Sequence, residues 1–205
     1  VPAADTAPMS VPPTGCVPGR GAANCSNLIW NRARRMTQDD APPTRREAVG
    51  SLAGRICHVS FGTGPLAELR RMDPRQATPG QPALHRLLAR YVADERLHGD
   101  GTQRWTLLIH LLALAAPDGL RHDAALGRAL FAAGYNEGRL TRLLEASAAD
   151  FPVVLPRMLR FVVAKGGAVD SQELAQLVLS GGDERARLRI ARDYYRAEAS
   201  QPQAA

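Results

Sequence analysis

"RARLRIARDYYR" occupies residues 185–196 and places five arginines in twelve positions. At about 100° per residue on a helix, Arg185, Arg189, Arg192 and Arg196 fall on one face. Leu188, Ile190, Ala191, Tyr194 and Tyr195 take the opposite, broader arc, which Arg187 interrupts near the first turn. Asp183 follows Gly181 and Gly182 and is placed to cap the helix, and Glu184 suits the positive end of its dipole. The stretch therefore predicts an amphipathic helix with a stripe made only of arginine. Guanidinium forks suit phosphates. A solvated face fits the same stripe, because Lys165 is the only lysine and codon bias alone can produce an arginine-rich chain.

Working outward, helical signals fill the chain from Thr44 onward. Thr44 and Glu47 form a capping box, and Ala48, Val49, Leu52, Ile56 and Val59 recur at helical spacing after it. "SFGTGP" (60–65) is a turn, and "PLAELRRM" (65–72) restarts a helix with Pro65 in its first turn. "PALHRLLARYVADE" (82–95) is amphipathic, with Leu84, Leu87, Leu88 and Tyr91 on its apolar side. "TQRWTLLIHLLALAA" (102–116) reads as buried on most faces and stops at Pro117. "DAALGRALFAAG" (123–134) is a short helix closed by Gly134, and Asn136 caps the next one, at 136–147. The helix at 151–167 begins or kinks at Pro156, and Asp170 caps the segment before the arginine stripe, with Glu173 three residues on.

These segments predict an all-α fold of about eight or nine helices, with no strand. Only 5% of residues are aromatic, so the core is expected from Leu, Ala, Val and Ile. Residues 1–43 are rich in Pro, Gly and Ala. They are expected to be a disordered extension holding one short basic helix at 27–36, anchored by Trp30, because they bury too little apolar surface to offset the entropy of ordering.

Composition narrows the function. The 26 Lys and Arg against 20 Asp and Glu give a formal charge of +6, which favours an acidic partner without requiring one. Cys16, Cys25 and Cys57 form no CxxC pair, an odd count that fits a reducing cytoplasm. No signal-peptide core or membrane-length apolar run is present. His58, His85, His98, His110 and His122 form no metal-ligand spacing, and His110 reads as a satisfied core residue. There is no phosphate-binding glycine loop and no nucleophile elbow. Cys57 and His58, adjacent on a helix, point about 100° apart and would not pair. No cofactor, metal or catalytic residue is therefore expected.

The basic positions are the remaining signal. Arg70 and Arg71 end a helix, where the dipole favours them. Arg128 lies among small and apolar residues in "LGRAL", where it snorkels, pairs with an acid or reaches a phosphate. Arg139 and Arg142, like Arg157 and Arg160, stand three apart and can follow adjacent phosphates. Without a recognition helix or an RNA-binding signature, such contacts would be to the backbone and not to bases.

The order "GPLAELRRM", "LHRLLARY", "LGRALFAAGYNEGRLTRLLEA", "LPRMLRFV" and "RARLRIARDYY", spanning roughly residues 46–196, resembles the small-subunit (CasB) family of the type I-E CRISPR surveillance complex, Cascade. The block at 126–146 carries it most specifically. The resemblance implies two small helical bundles, here 44–120 and 121–198 followed by a tail at 199–205. It also implies a non-catalytic subunit present in two copies, with contacts to the backbone and large subunits. Its expected nucleic-acid partners are the guide RNA and the target and displaced non-target DNA strands, in an R-loop that it would help to hold for antiviral defence.

Arg71, Arg128, Arg157, Arg185 and Arg187 lie where the matched motifs are basic in that family. Arg139, Arg142, Arg160, Arg189 and Arg192 join them on helix geometry. Gly138 and Glu145 depart from the family pattern and weaken continuous contact along the helix at 136–147. Charge reversal at Arg157 and Arg187 is expected to leave the fold intact and destabilise the R-loop. The alternative is a helical protein–protein adaptor whose arginines only solvate its surface. Salt separates the two, since phosphate contacts weaken steeply as counterion release loses its advantage.

Overall fold

A computed structural model describes residues 43–76, 78 and 80–201. The expectations for 1–42, including the helix at 27–36, Trp30, Cys16 and Cys25, lie outside the described residues. The described chain is all-helical, as expected. It forms nine α-helices: α1 (Arg45–Cys57), α2 (Thr63–Arg71), α3 (Pro82–Tyr91), α4 (Gly101–Ala115), α5 (Leu126–Ala132), α6 (Glu137–Glu145), α7 (Phe151–Ala164), α8 (Ser171–Leu179) and α9 (Glu184–Ala199). Short 3-10 turns at Val59–Phe61 and Asp94–Leu97 join them. Among the described residues the only β pairing is a single parallel bridge between Leu120 and Val169.

Helix α4 is the axis of the fold. Trp105 through Ala113 and Ala115 are all buried on it, so no face is left for solvent over two turns and more. It packs against α1, α2 and α3 and also against α7 and α8. Helix α9 closes the assembly by lying across α5, with further contacts to α6 and α8. One contiguous core results, built mainly from leucine, alanine, valine and isoleucine.

The start signals read from the sequence hold. Thr44 and Glu47 make the reciprocal capping box of α1. Asn136 accepts from Arg139 N at 3.0 Å, Asp170 from Gln172 N at 2.6 Å, and Asp183 from Arg185 N at 3.4 Å. Each satisfies one N–H that the first turn leaves without a helical partner. Gly134, at φ 75°, closes α5 as expected.

Several boundaries differ. Helix α1 stops at Cys57, because His58 turns extended and its Nδ1 accepts from Ser60 N. Val59 therefore leaves the helical pattern and is 95% exposed. The helix predicted over 82–95 ends at Tyr91, where Val92 turns extended to bury its side chain. Helix α5 begins three residues after Asp123, which takes a left-handed φ of 61°. Helix α7 starts at Phe151 and runs through Pro156.

Candidate nucleic-acid interface

Two populations stand out among the arginines by where their donors point. One population holds the fold together. Arg187 donates from Nε to Gly182 O at 2.6 Å, from Nη2 to Ala146 O at 2.8 Å and from Nη1 to Leu144 O. Its guanidinium thus satisfies carbonyls at the C-terminal end of α6 while holding the glycine turn before α9, and it lies over the Phe151 ring at 5.9 Å. A cation at that negative helix end is favoured by the dipole as well. Arg70 does the same for α4, donating to Ala113 O at 2.9 Å and to Ala116 O. Arg104 does so for α8, donating to Leu179 O at 3.2 Å.

This corrects the expectation that charge reversal at Arg187 leaves the fold intact. A carboxylate there would face carbonyl oxygens with no donor to give. Arg70, expected to stabilise the end of its own helix, instead caps a neighbouring one.

The other population is exposed and without ion pairs. Arg71, Arg128, Arg139, Arg142, Arg157, Arg160, Arg185 and Arg192 are all solvent-exposed. Among the described residues the ion pairs are Arg104–Asp100 and Arg196–Asp193, so none of these eight has a carboxylate within bridging distance. Arg157 and Arg160 share α7, and Arg139 and Arg142 share α6. Arg139 reaches across to α7, its guanidinium 5.2 Å from the centre of the Phe161 ring. Arg185 lies in the first turn of α9, where the dipole disfavours a cation, so helix stability does not account for it. Arg128 is exposed on α5 and borders a hollow that also contains Asp193 and Arg196.

Arg189 is half-buried and turned away from this set. It donates to Gln176 Oε1 at 2.9 Å on α8. Glu173 beside it accepts from Leu126 N at 2.6 Å, capping α5 across the chain instead of closing a box on its own helix. Burial pushes the Glu173 carboxyl above its ordinary range, against the opposing pull of that N–H.

The buried arc of α9 is narrower than its sequence pattern. Ala186, Ile190 and Tyr194, four apart, face the core. Leu188 is 60% exposed and Tyr195 41% exposed, on the side of the arginine stripe away from Arg189. Tyr194 donates to Tyr135 O at 2.6 Å, and Tyr195 to Glu137 Oε1 at 2.9 Å. Two apolar side chains thus lie beside the stripe with no core to cover them.

The remaining candidate groups have ordinary structural partners. His110 is 2% exposed, with Nδ1 2.8 Å from Leu69 O, as expected of a core histidine. Cys57 Sγ lies 3.8 Å from Pro117 O while His58 turns to Ser60, so thiol and imidazole do not meet. Burial pushes the Cys57 thiol up, away from a reactive thiolate. Among the described residues no group of three or more His, Cys, Asp or Glu is placed to hold a metal. No described helix is long and apolar enough to cross a membrane.

Fold and surface together define an all-helical scaffold with unpaired arginines on several helices. Residues 65–195, more than half the chain, match the family described as CRISPR-associated protein Cse2, and the chain belongs to that family. This is the Cascade small-subunit family that the sequence motifs resembled. Its fold is similar to a chain in the crystal structure of E. coli Cascade bound to a PAM-containing dsDNA target. The two share 22% identity with a TM-score of 0.59, over 74% of this chain and 96% of that one. No curated protein sequence matches significantly.

Proposed function

We propose that the chain is a non-catalytic small subunit of a type I-E Cascade complex. In this reading it binds nucleic-acid backbone through its exposed arginines and stabilises the R-loop. The observation that carries it is the set of eight exposed arginines without ion pairs at the positions the family motifs and helix geometry single out, while Arg70, Arg104 and Arg187 are engaged with backbone carbonyls. Solvation alone gives no reason for Arg185 at a positive helix end.

An R-loop is nearly balanced in base-pairing energy, so phosphate contacts from a protein can tip it. A displaced strand of any sequence is best held by charge, since charge does not read bases. Arg157 and Arg160 on α7, with Arg139 of α6 over the Phe161 ring of the same helix, are the residues assigned first to this role. Arg187 is assigned to the fold and Arg189 to the α8–α9 contact. The exposed Leu188 and Tyr195 suit contact with another Cascade subunit or with the second copy of this chain, where apolar surface is covered on assembly.

The test is R-loop lifetime on reconstituted complex. The double variant Arg157→Glu, Arg160→Glu is expected to assemble normally and to shorten that lifetime by roughly tenfold or more, as two phosphate attractions become repulsions. An unchanged lifetime, with assembly intact, removes the nucleic-acid role and leaves the adaptor.

A further inference from the structure

A second basic site lies away from α6 and α7. An open cleft of about 390 Å³ separates α5 from the turn that follows α7. Arg121, Arg128 and Lys165 line it, against the single carboxylate of Asp123. Beside them the cleft is lined by small residues, Ala125, Ala129, Ala132 and Ala133 on one side and Gly166 and Gly167 on the other, together with His122.

Backbone pairing fixes this geometry. Val169 N donates to Gly119 O at 2.9 Å, and Arg121 N donates to Val169 O at 3.1 Å. Asp170 N donates to Ala124 O at 3.0 Å. The loops carrying Arg121 and Lys165 are thereby tied together, although they lie more than forty residues apart in sequence.

The next carboxylate along the chain, Asp170, bonds backbone N–H groups and pairs with none of the three cations. Asp170 accepts from Asp123 N at 3.0 Å and from Gln172 N at 2.6 Å. Among the described residues Arg121, Arg128 and Lys165 make no ion pair. Lys165 ends α7, where the dipole favours a cation, but that accounts for one of the three. Three cations around one small-walled cleft repel one another until an anion comes between them.

We propose that this cleft is a phosphate-binding site for a single-stranded nucleic-acid backbone, with Arg121 and Lys165 gripping from its two sides and Arg128 from its wall. This rests on the nucleic-acid reading above and adds a site distinct from the α6–α7 group. Phosphate is favoured over a protein carboxylate because a strand held by the exposed arginines of the reading above carries one charge at every nucleotide, and the alanine and glycine of the cleft leave its oxygens a close approach to both loops.

The test uses the full-length chain and a fluorescein-labelled oligothymidylate, with affinity measured across a salt series. The double variant Arg121→Gln, Lys165→Gln removes no hydrogen bond of the fold, and its circular dichroism should match the unsubstituted chain. Affinity at low salt is expected to fall roughly tenfold, and the log–log salt slope to shrink by about 1.4, two phosphates' worth for a single strand. Unchanged affinity and slope would overturn the cleft, while weakening in Arg157→Gln, Arg160→Gln in the same assay would leave the broader reading standing. Polyglutamate displacing the oligonucleotide from this cleft at equal charge concentration would also overturn it, in favour of an acidic protein partner. No salt-dependent binding by the unsubstituted chain would overturn both readings.

Discussion

Gly127 lies against the backbone of Ile190: a Cβ at Gly127 would stand 2.1 Å from Ile190 O and 2.7 Å from Tyr194 N. Helices α5 and α9 therefore cross backbone to backbone, and only glycine permits it. Elsewhere in a helix Gly→Ala stabilises by about 1 kcal/mol through propensity. Here the sign reverses. Gly127→Ala is expected to destabilise by about 2–3 kcal/mol, because both obstructing atoms are main chain and the helices must part. Urea unfolding checks this, and a stabilised variant would mean the crossing is looser than described.

Arg187→Ala removes three charge-assisted hydrogen bonds at once and leaves the carbonyls of Gly182, Leu144 and Ala146 short of a donor. A loss of about 2–4 kcal/mol is expected. Arg187→Lys should recover only part of it, since one ammonium cannot reproduce the planar fork. Arg157→Ala, fully outside the core, should stay within about 0.5 kcal/mol of the parent. Equal stabilities for the Arg157 and Arg187 variants would contradict the division of the arginines into two populations.

That division shows where the sequence stops being informative. Local signals were legible: Thr44, Asn136, Asp170 and Asp183 each sit at a helix start because their caps involve neighbours within three residues. Burial of α4 was legible from its apolar run, and so was His110. The glycine in "LGRAL" could be read as part of a family motif, but its reason is the backbone of α9, more than sixty residues away. Arg187 and Arg157 look alike in sequence, because the carbonyls that occupy Arg187 lie about forty residues earlier in the chain. Arg121 and Lys165 gave no signal at all, since they stand in loops without periodicity and meet only through the Leu120–Val169 bridge. Leu188 was placed on the buried arc because angular position alone cannot show how wide a strip the neighbouring helices cover.

His110 gives the fold a pH dependence of definite sign. Burial, the larger influence, pulls its pKa below the ordinary histidine value of about 6.5, although its bond to Leu69 O opposes this. The ring is therefore neutral in the folded chain at a pH where the unfolded chain already binds a proton. Its contribution to stability is full above about pH 6.5 and is lost as pH falls toward the lower folded value. Glu173 works in the other direction. Its raised pKa favours the fold when protonated, and that contribution fades as pH rises through the folded value. Unfolding free energy should drop as pH falls below about 6.5, and His110→Asn, whose amide nitrogen takes the place of Nδ1 toward Leu69 O, should flatten that drop. An unchanged pH profile in His110→Asn would assign the acid sensitivity to other groups.

Leu188 separates assembly from folding. Its side chain is 60% exposed beside the arginine stripe, so Leu188→Ser removes apolar surface that the isolated fold never buried. Stability of the isolated chain should change by less than about 0.5 kcal/mol. If Leu188 and Tyr195 are covered by another subunit in Cascade, the same substitution should reduce co-purification with the complex at high salt, where arginine–phosphate contacts are already weakened and apolar contacts persist. Retention equal to the parent at both low and high salt would show that this side of α9 faces solvent in the assembled complex. A loss confined to low salt would instead place Leu188 beside a charged partner, where it packs the stems of Arg185 and Arg192 against phosphates.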